Sequence, residues 1–128
     1  MATTKFKNNV HITGNLTVDG SSVSGSTGSS QTLTASGAVT AGVKNLNLNH
    51  ATVAIAATMV ATEHPGLFTL TDTSASGTAA HTVTLTGGTW NGTATVATLN
   101  APAEGLIVFF DALGNGTIVV NSGSVALS

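Results

Sequence analysis

The chain has 128 residues, a formal net charge of −2 at pH 7, 41% hydrophobic residues and only 6% charged residues. Charged residues make up about a quarter of an ordinary soluble domain, and disorder requires high net charge with few apolar groups, so this composition excludes a largely disordered chain. The length allows one domain of ordinary size and excludes a multidomain enzyme.

Alternation of apolar and polar residues, typical of a strand with one buried face, begins within residues 10–18. Residues 20–30 follow as a Gly/Ser stretch with a single apolar residue, a composition typical of a linker. We therefore predict an N-terminal extended β arm with its linker over residues 1–30. A compact β domain is predicted over residues 31–128.

The first strands of this domain are predicted from the same period of two. Val53, Ile55, Ala57 and Met59 share one parity. Alanine also favours helix over residues 51–61, but the β-branched residues there favour a strand. Residues 67–71 and 82–86 show the pattern of two further strands.

The C-terminal part continues the pattern with two irregularities. Trp90, Ala94 and Val96 occupy even-numbered positions, which would place them on one face of a strand, whereas Leu99 is at an odd position. This change predicts a bulge or strand end near Ala97. Residues 106–110, LIVFF, form a continuous apolar run, typical of a strand buried on both faces. The Asn-Gly pair at positions 115 and 116 predicts a hairpin after it. Together these segments predict an all-β fold, an antiparallel β-sandwich or barrel.

The predicted strands are rich in Thr, Val and Ile, with almost no charge to protect their edges against pairing with other chains. We therefore expect a homo-oligomer, with a trimer as the expected form, that buries these edges and the LIVFF run between subunits. The bulky side chains anchor either the core or this interface, and a ligand site is the alternative for the aromatic ones. The candidate interface residues are Val10, Ile12, Leu16, Val18, Trp90, Phe109 and Phe110.

No residue pattern in the sequence predicts a catalytic, cofactor-binding or metal-binding site. There is no cysteine and no G-x-S-x-G motif, and the four histidines lie at no metal-ligand spacing. Residues 72–77 are similar to the opening of a calcium loop, but Val83 stands where a bidentate Glu is needed. The carboxylates lie at predicted turns, where they commonly cap backbone donors. We expect a non-enzymatic protein; a small hydrolase would need a carboxylate or Ser/His pair that meets only in the fold.

The charge and hydropathy patterns also limit the partners. Three lysines without arginine are too few to neutralise several phosphates, so we expect no nucleic-acid partner. No apolar run approaches the ~20 residues of a spanning helix, so no membrane segment is predicted. Residues 1–9 are not followed by the apolar region of a secretory signal, so we expect a protein that is made in the cytoplasm and is used inside the cell or carried out by another vehicle.

Two stretches of the chain resemble bacteriophage structural proteins. Residues 10–25, VHITGNLTVDGSSVSG, resemble short repeats near the starts of tail and head fibre proteins. Residues 70–121, which contain TVTLTGGTW and EGLIVFFDALGNGTIVVN, are similar to β domains of phage capsid decoration and fibre proteins. The resemblance carries over no functional residue.

The resemblance implies a capsid decoration (cement) protein that binds the major capsid protein on the virion surface as an oligomer and stabilises the shell. Fibre adhesins are usually much longer, so a chain with one domain favours the decoration protein. The alternative is a head or tail fibre module that binds a host-surface glycan through a surface that includes Trp90.

Overall fold

The computed structural model describes residues 16–18, 21–23, 29–77 and 79–128, the first two segments by their backbone alone. Over these residues the fold is all-β, as predicted, with one 3-10 turn at Ala61–Glu63. Within the same residues no helix has the length and apolar character needed to cross a membrane.

The strands form a hairpin and two larger sheets. The hairpin pairs β1 with β2, one sheet has the order β3-β5-β7-β11-β12-β9, and the other has the order β13-β10-β8-β6-β4. In chain order the strands are β1 (Leu16–Val18), β2 (Ser21–Val23), β3 (Ser29–Leu33), β4 (Gly37–Ala38), β5 (Val43–Leu48), β6 (Ala56–Val60), β7 (Gly66–Asp72), β8 (His81–Thr86), β9 (Thr89–Trp90), β10 (Val96–Leu99), β11 (Gly105–Phe110), β12 (Asn115–Ser122) and β13 (Ala126–Leu127).

From β3 to β8 the chain winds in a solenoid-like manner, because consecutive strands alternate between the two larger sheets. Strands β3, β5 and β7 are parallel neighbours in the six-stranded sheet, and β4, β6 and β8 are parallel neighbours in the five-stranded sheet. The direction then reverses, since β11 is antiparallel to β7 and β10 is antiparallel to β8. The sheets are therefore mixed, and the prediction of an antiparallel fold is wrong. Side chains alternate with a period of two in both kinds of sheet, so the pattern does not report strand direction.

Apolar side chains from both larger sheets form the core, and aromatic rings occupy part of it. The Trp90 and Phe110 ring centroids are 5.5 Å apart, and those of Phe68 and Phe110 are 5.9 Å apart. The indole Nε1 of Trp90 donates a hydrogen bond to the Val83 carbonyl at 3.4 Å. The indole group therefore has a partner for its polar atom inside an apolar core.

The strands predicted at residues 67–71 and 82–86 are confirmed as β7 and β8. The strand predicted from residue 53 is confirmed only from Ala56 onward, where Ala57 and Met59 point into the core. Val53 lies in a bend before it and is 58% exposed. The helix alternative for this region is wrong, apart from the short 3-10 turn at its end.

Two predictions in the C-terminal part have different outcomes: a strand does end beside Ala97, since β10 begins at Val96, but the burial predicted for LIVFF is wrong. No bulge lies at Ala97, because β9 ends at Trp90 and a turn with Asn91 at φ +49° resets the parity before β10. The LIVFF run is not buried on both faces: Phe110 is 1% exposed, but its neighbour Phe109 is 52% exposed. The other large sheet covers only one face of β11, which leaves the alternate side chains on the outside.

At the N-terminal end, two described strands lie within or beside the stretch predicted as a linker. Ser21–Val23 forms β2, and β3 crosses the expected boundary at residues 30 and 31 to pair in parallel with β5. Of the candidate interface residues, Val10 and Ile12 lie outside the described residues. Leu16 and Val18 lie in β1, where only the backbone is described.

Candidate functional site

The outer face of the six-stranded sheet carries apolar side chains that no part of the described chain covers. Phe109 on β11 pairs directly with Leu67 on β7, and Ile107 pairs with Val120 on β12. These side chains alternate with the core residues of the same strands and therefore point outward. We call this surface the outer patch; its members are Leu67, Ile107, Phe109, Val119 and Val120.

The exposure of the outer patch is large for apolar side chains. Leu67 is 57% exposed, Phe109 52% and Val119 59%. Val119 stands at a register shift between β11 and β12, where Ile107 pairs with Val120 but Val108 pairs with Ile118. The extra residue of this bulge adds a second exposed valine to the patch.

A groove lies on the same face, over the start of β11. Its volume is about 380 Å³, and Gly105 and Leu106 are among its lining residues. The walls come from the neighbouring strands, with Thr71 on one side and Ser122 on the other, the two residues that pair with Gly105. A Cβ at Gly105 would stand 2.6 Å from the Leu70 carbonyl oxygen, so only glycine fits there.

Most of the remaining outward positions of this sheet are polar and uncharged, while the partly exposed Lys44 on β5 donates a hydrogen bond from Nζ to the Pro65 carbonyl. On β5 and β7, Thr69 donates a hydrogen bond to the Asn45 side-chain oxygen at 2.6 Å. Ser30 and Thr32 continue this polar surface on the edge strand β3. In the described part of the sheet, the outward face therefore combines an apolar half with a polar half, and the outward positions of β7, β11 and β12 carry no charge. A polar rim around an apolar area is the usual anatomy of an interface.

The three aromatic residues predicted for an interface or the core occupy different places. Trp90 is 0% exposed and Phe110 1%, so both belong to the core of the single chain. Phe109 alone of the three presents its ring to solvent. The glycan alternative depended on Trp90, whose indole has no accessible face on which a sugar could stack.

The fold also assembles a buried Ser/His/Asp cluster. Asp72 Oδ1 accepts hydrogen bonds from the backbone N–H of Ser74, at 2.9 Å, and from its hydroxyl. His81 Nε2 lies 3.4 Å from Ser74 Oγ and 3.9 Å from Asp72 Oδ2. All three side chains are less than a tenth exposed. Sequence reasoning missed this cluster, although an Asp two residues before a Ser is the signal of an Asx turn.

The hydrogen bonds of His81 decide what this cluster can do. Its Nδ1 accepts the backbone N–H of Ile55 at 3.0 Å, so the proton of the neutral ring is on Nε2. A catalytic triad needs the opposite tautomer, with the carboxylate at Nδ1–H and an unprotonated Nε2 that accepts the proton of serine. The cluster therefore cannot activate Ser74 as a nucleophile in this arrangement. It ties the loop after β7 to β8.

Other buried polar groups cap backbone atoms. Glu104 Oε2 accepts the backbone N–H groups of Asn100 and Ala101, at 2.6 and 3.1 Å. His64 approaches the Val43 carbonyl through Nδ1 at 2.7 Å, and its Nε2 has no partner. Capping by carboxylates is thus confirmed for Glu104 and Asp72.

Across the described residues, no group of three or more His, Cys, Asp or Glu side chains has the arrangement of a metal site.

Comparison of the chain with protein-family models, with curated proteins and with solved structures gives no match.

Proposed function

We propose that this chain is a non-enzymatic structural protein of a phage virion: a capsid decoration protein that forms a homo-oligomer and binds the capsid surface. The observation that carries the proposal is the outer patch. Leu67 and Phe109 stand side by side with more than half of each side chain exposed. Contiguous exposed apolar surface with a polar rim marks interaction sites on soluble proteins.

The absence of charged side chains at the outward positions of β7, β11 and β12 supports an assembly role. A contact between neutral surfaces depends little on salt, since there are few charges to screen. Each Å² of apolar surface removed from water contributes roughly 25 cal/mol. A protein that binds the assembled shell, and not its separated subunits, stabilises the shell by mass action.

The Ser74/His81/Asp72 cluster supports the non-enzymatic part of the proposal. In a catalytic triad the histidine Nε2 accepts the serine proton, but the Nε2 of His81 already carries a proton.

The location of the protein on a virion rests on the resemblance of residues 10–25 and 70–121 to phage proteins. The trimer predicted from the sequence stays a prediction, since most of the arm over residues 1–30 lies outside the described residues.

The experiment that tests this proposal is co-sedimentation of the purified chain with capsids of the phage that encodes it. The wild-type chain should pellet with capsids, and the double variant Leu67→Ser with Phe109→Ser should remain in the supernatant. Leu113→Ser is the matched control, since Leu113 is 75% exposed but lies outside the outer patch. It should bind as the wild type does.

Two results would contradict the proposal. A wild-type chain that binds host cells and not capsids would favour the fibre alternative. Equal capsid binding by the wild type and the double variant would show that the outer patch has no part in attachment.

A further inference from the structure

We infer that the outer patch binds a second copy of this chain, with Phe109 of each copy seated in the groove over Gly105 of the other. This inference rests on the proposed function in one respect: it requires the outer patch to be an assembly surface. The inference adds three things to the proposed function: which molecule covers the outer patch, which residues of the two copies lie opposite each other, and the symmetry that relates the copies.

The positions of Phe109 and Gly105 on one strand suggest the symmetry. Both belong to β11 and both face outward, about 13 Å apart at the strand rise of ~3.3 Å per residue. Ile107 lies midway between them. Consider two copies whose sheets face each other across a two-fold axis. The axis lies between the two sheets, runs perpendicular to β11 and passes over Ile107. This symmetry places each Phe109 over the Gly105 of the other copy. The two copies of Ile107 then meet at the axis.

The groove has the size and the walls for a phenylalanine ring. Its volume of about 380 Å³ exceeds the ~150 Å³ cavity that holds a benzene molecule. Ile107 and Val120, two members of the outer patch, also line the groove, and Leu106 contributes to the same lining. Thr71 and Ser122 supply hydroxyl groups to its lining, and the Thr69 hydroxyl keeps its hydrogen bond to Asn45.

Two further observations favour a second copy over a foreign partner. The protruding ring and the groove lie on the same face of the same chain, which is the condition for a self-complementary two-fold contact. The outward positions of β7, β11 and β12 are uncharged, so two copies of this part of the face can approach without repulsion between like charges.

A cysteine cross-link tests the inference directly. The chain contains no cysteine, so Ile107→Cys places a single thiol of each copy at the proposed axis. Mild oxidation should give a covalent dimer on non-reducing gels. Val60→Cys is the matched control, because Val60 is 40% exposed but lies on the other large sheet. It should give no dimer under the same conditions.

Two variants in the Ile107→Cys background test the occupant of the groove. Phe109→Ser removes the inserted ring, and Ser122→Phe fills the groove from its rim. Each should reduce the cross-linked fraction and raise the dissociation constant of the dimer at least ten-fold, the effect of losing a central anchor. Fluorescence of the single Trp90 verifies that each variant is folded.

The possible results separate this inference from the proposed function. A cross-link that neither Phe109→Ser nor Ser122→Phe reduces would overturn the inference. A trimer that depends on Phe109 but gives no Ile107→Cys cross-link would overturn the two-fold register and leave the proposed function standing. A chain that stays monomeric at micromolar concentration but binds capsids through the outer patch would overturn the inference and the homo-oligomer of the proposed function, and leave its capsid binding standing. A monomer without capsid binding would overturn both.

Discussion

His81 and Ile55 are joined by a buried hydrogen bond, in which the His81 Nδ1 accepts the Ile55 backbone N–H at 3.0 Å. The bond connects the start of β8 with the segment that leads into β6, its parallel neighbour. It also fixes the tautomer that turns the Ser74/His81/Asp72 cluster into a structural element. The stability of this part of the solenoid should therefore depend on the acceptor atom of one histidine.

Replacing His81 by Phe should test this dependence. The ring shape is kept, but the buried Ile55 N–H loses its acceptor, which costs about 1–3 kcal/mol in the free energy of unfolding. His50→Phe is the control, since the Nδ1 of His50 accepts the Val53 N–H at 3.0 Å in an exposed position. Urea titration should show a change within about 0.5 kcal/mol for this variant. Equal losses for the two variants would contradict the assignment.

The neighbouring phenylalanines of β11 should respond differently to truncation. Phe110→Ala removes a ring packed against Trp90 and should lower the free energy of unfolding by about 3–5 kcal/mol at every protein concentration. Phe109→Ala should reduce stability only at concentrations where the chain associates, because its ring contacts solvent in the single chain. Denaturation followed by Trp90 fluorescence over a dilution series measures both. A loss for Phe109→Ala that persists on dilution would show that Phe109 supports the fold itself.

The hairpin between β11 and β12 should weaken in acid. The backbone and side-chain N–H groups of Asn115 hold the pKa of Asp111 below its ordinary value of 3.8. Leu113 also donates its backbone N–H to Asp111 Oδ1, at 2.9 Å. A carboxyl group with a lowered pKa in the folded state stabilises the fold above its unfolded pKa. That contribution is lost as the pH falls through the lower, folded value.

The melting temperature of Asp111→Ala, compared with the wild type, tests this sign. The variant should melt at a lower temperature at neutral pH, and the gap should narrow as the pH falls below about 3.8. A gap that is constant down to strongly acidic pH would contradict a role for the ionised carboxylate.

The sequence predicts the strands of this fold better than their arrangement. The alternation at residues 82–86 locates β8, because a half-buried strand leaves the same period in any sheet. The alternation does not identify the neighbouring strands of β8, which are the parallel β6 and the antiparallel β10. Register and strand direction depend on residues far away in the chain. The parallel winding from β3 to β8 was unpredictable for this reason.

The outer patch shows a second limit of sequence reasoning. LIVFF indicates burial on both faces because apolar residues are normally buried, and local pattern cannot distinguish burial within a chain from burial between chains. The structure separates the two: Val108 and Phe110 face the core, whereas Ile107 and Phe109 face outward. The groove was also out of reach, because it depends on which residues the neighbouring strands place beside Gly105.

The most direct measurement of the central claim is the molar mass of the chain in solution at micromolar concentration, by sedimentation equilibrium or light scattering. We expect an oligomer for the wild type and for Leu113→Ser, and a monomer with unchanged Trp90 fluorescence for Leu67→Ser combined with Phe109→Ser. A monodisperse wild-type monomer, or an oligomer that the double variant leaves intact, would contradict the assignment of the outer patch as the assembly surface.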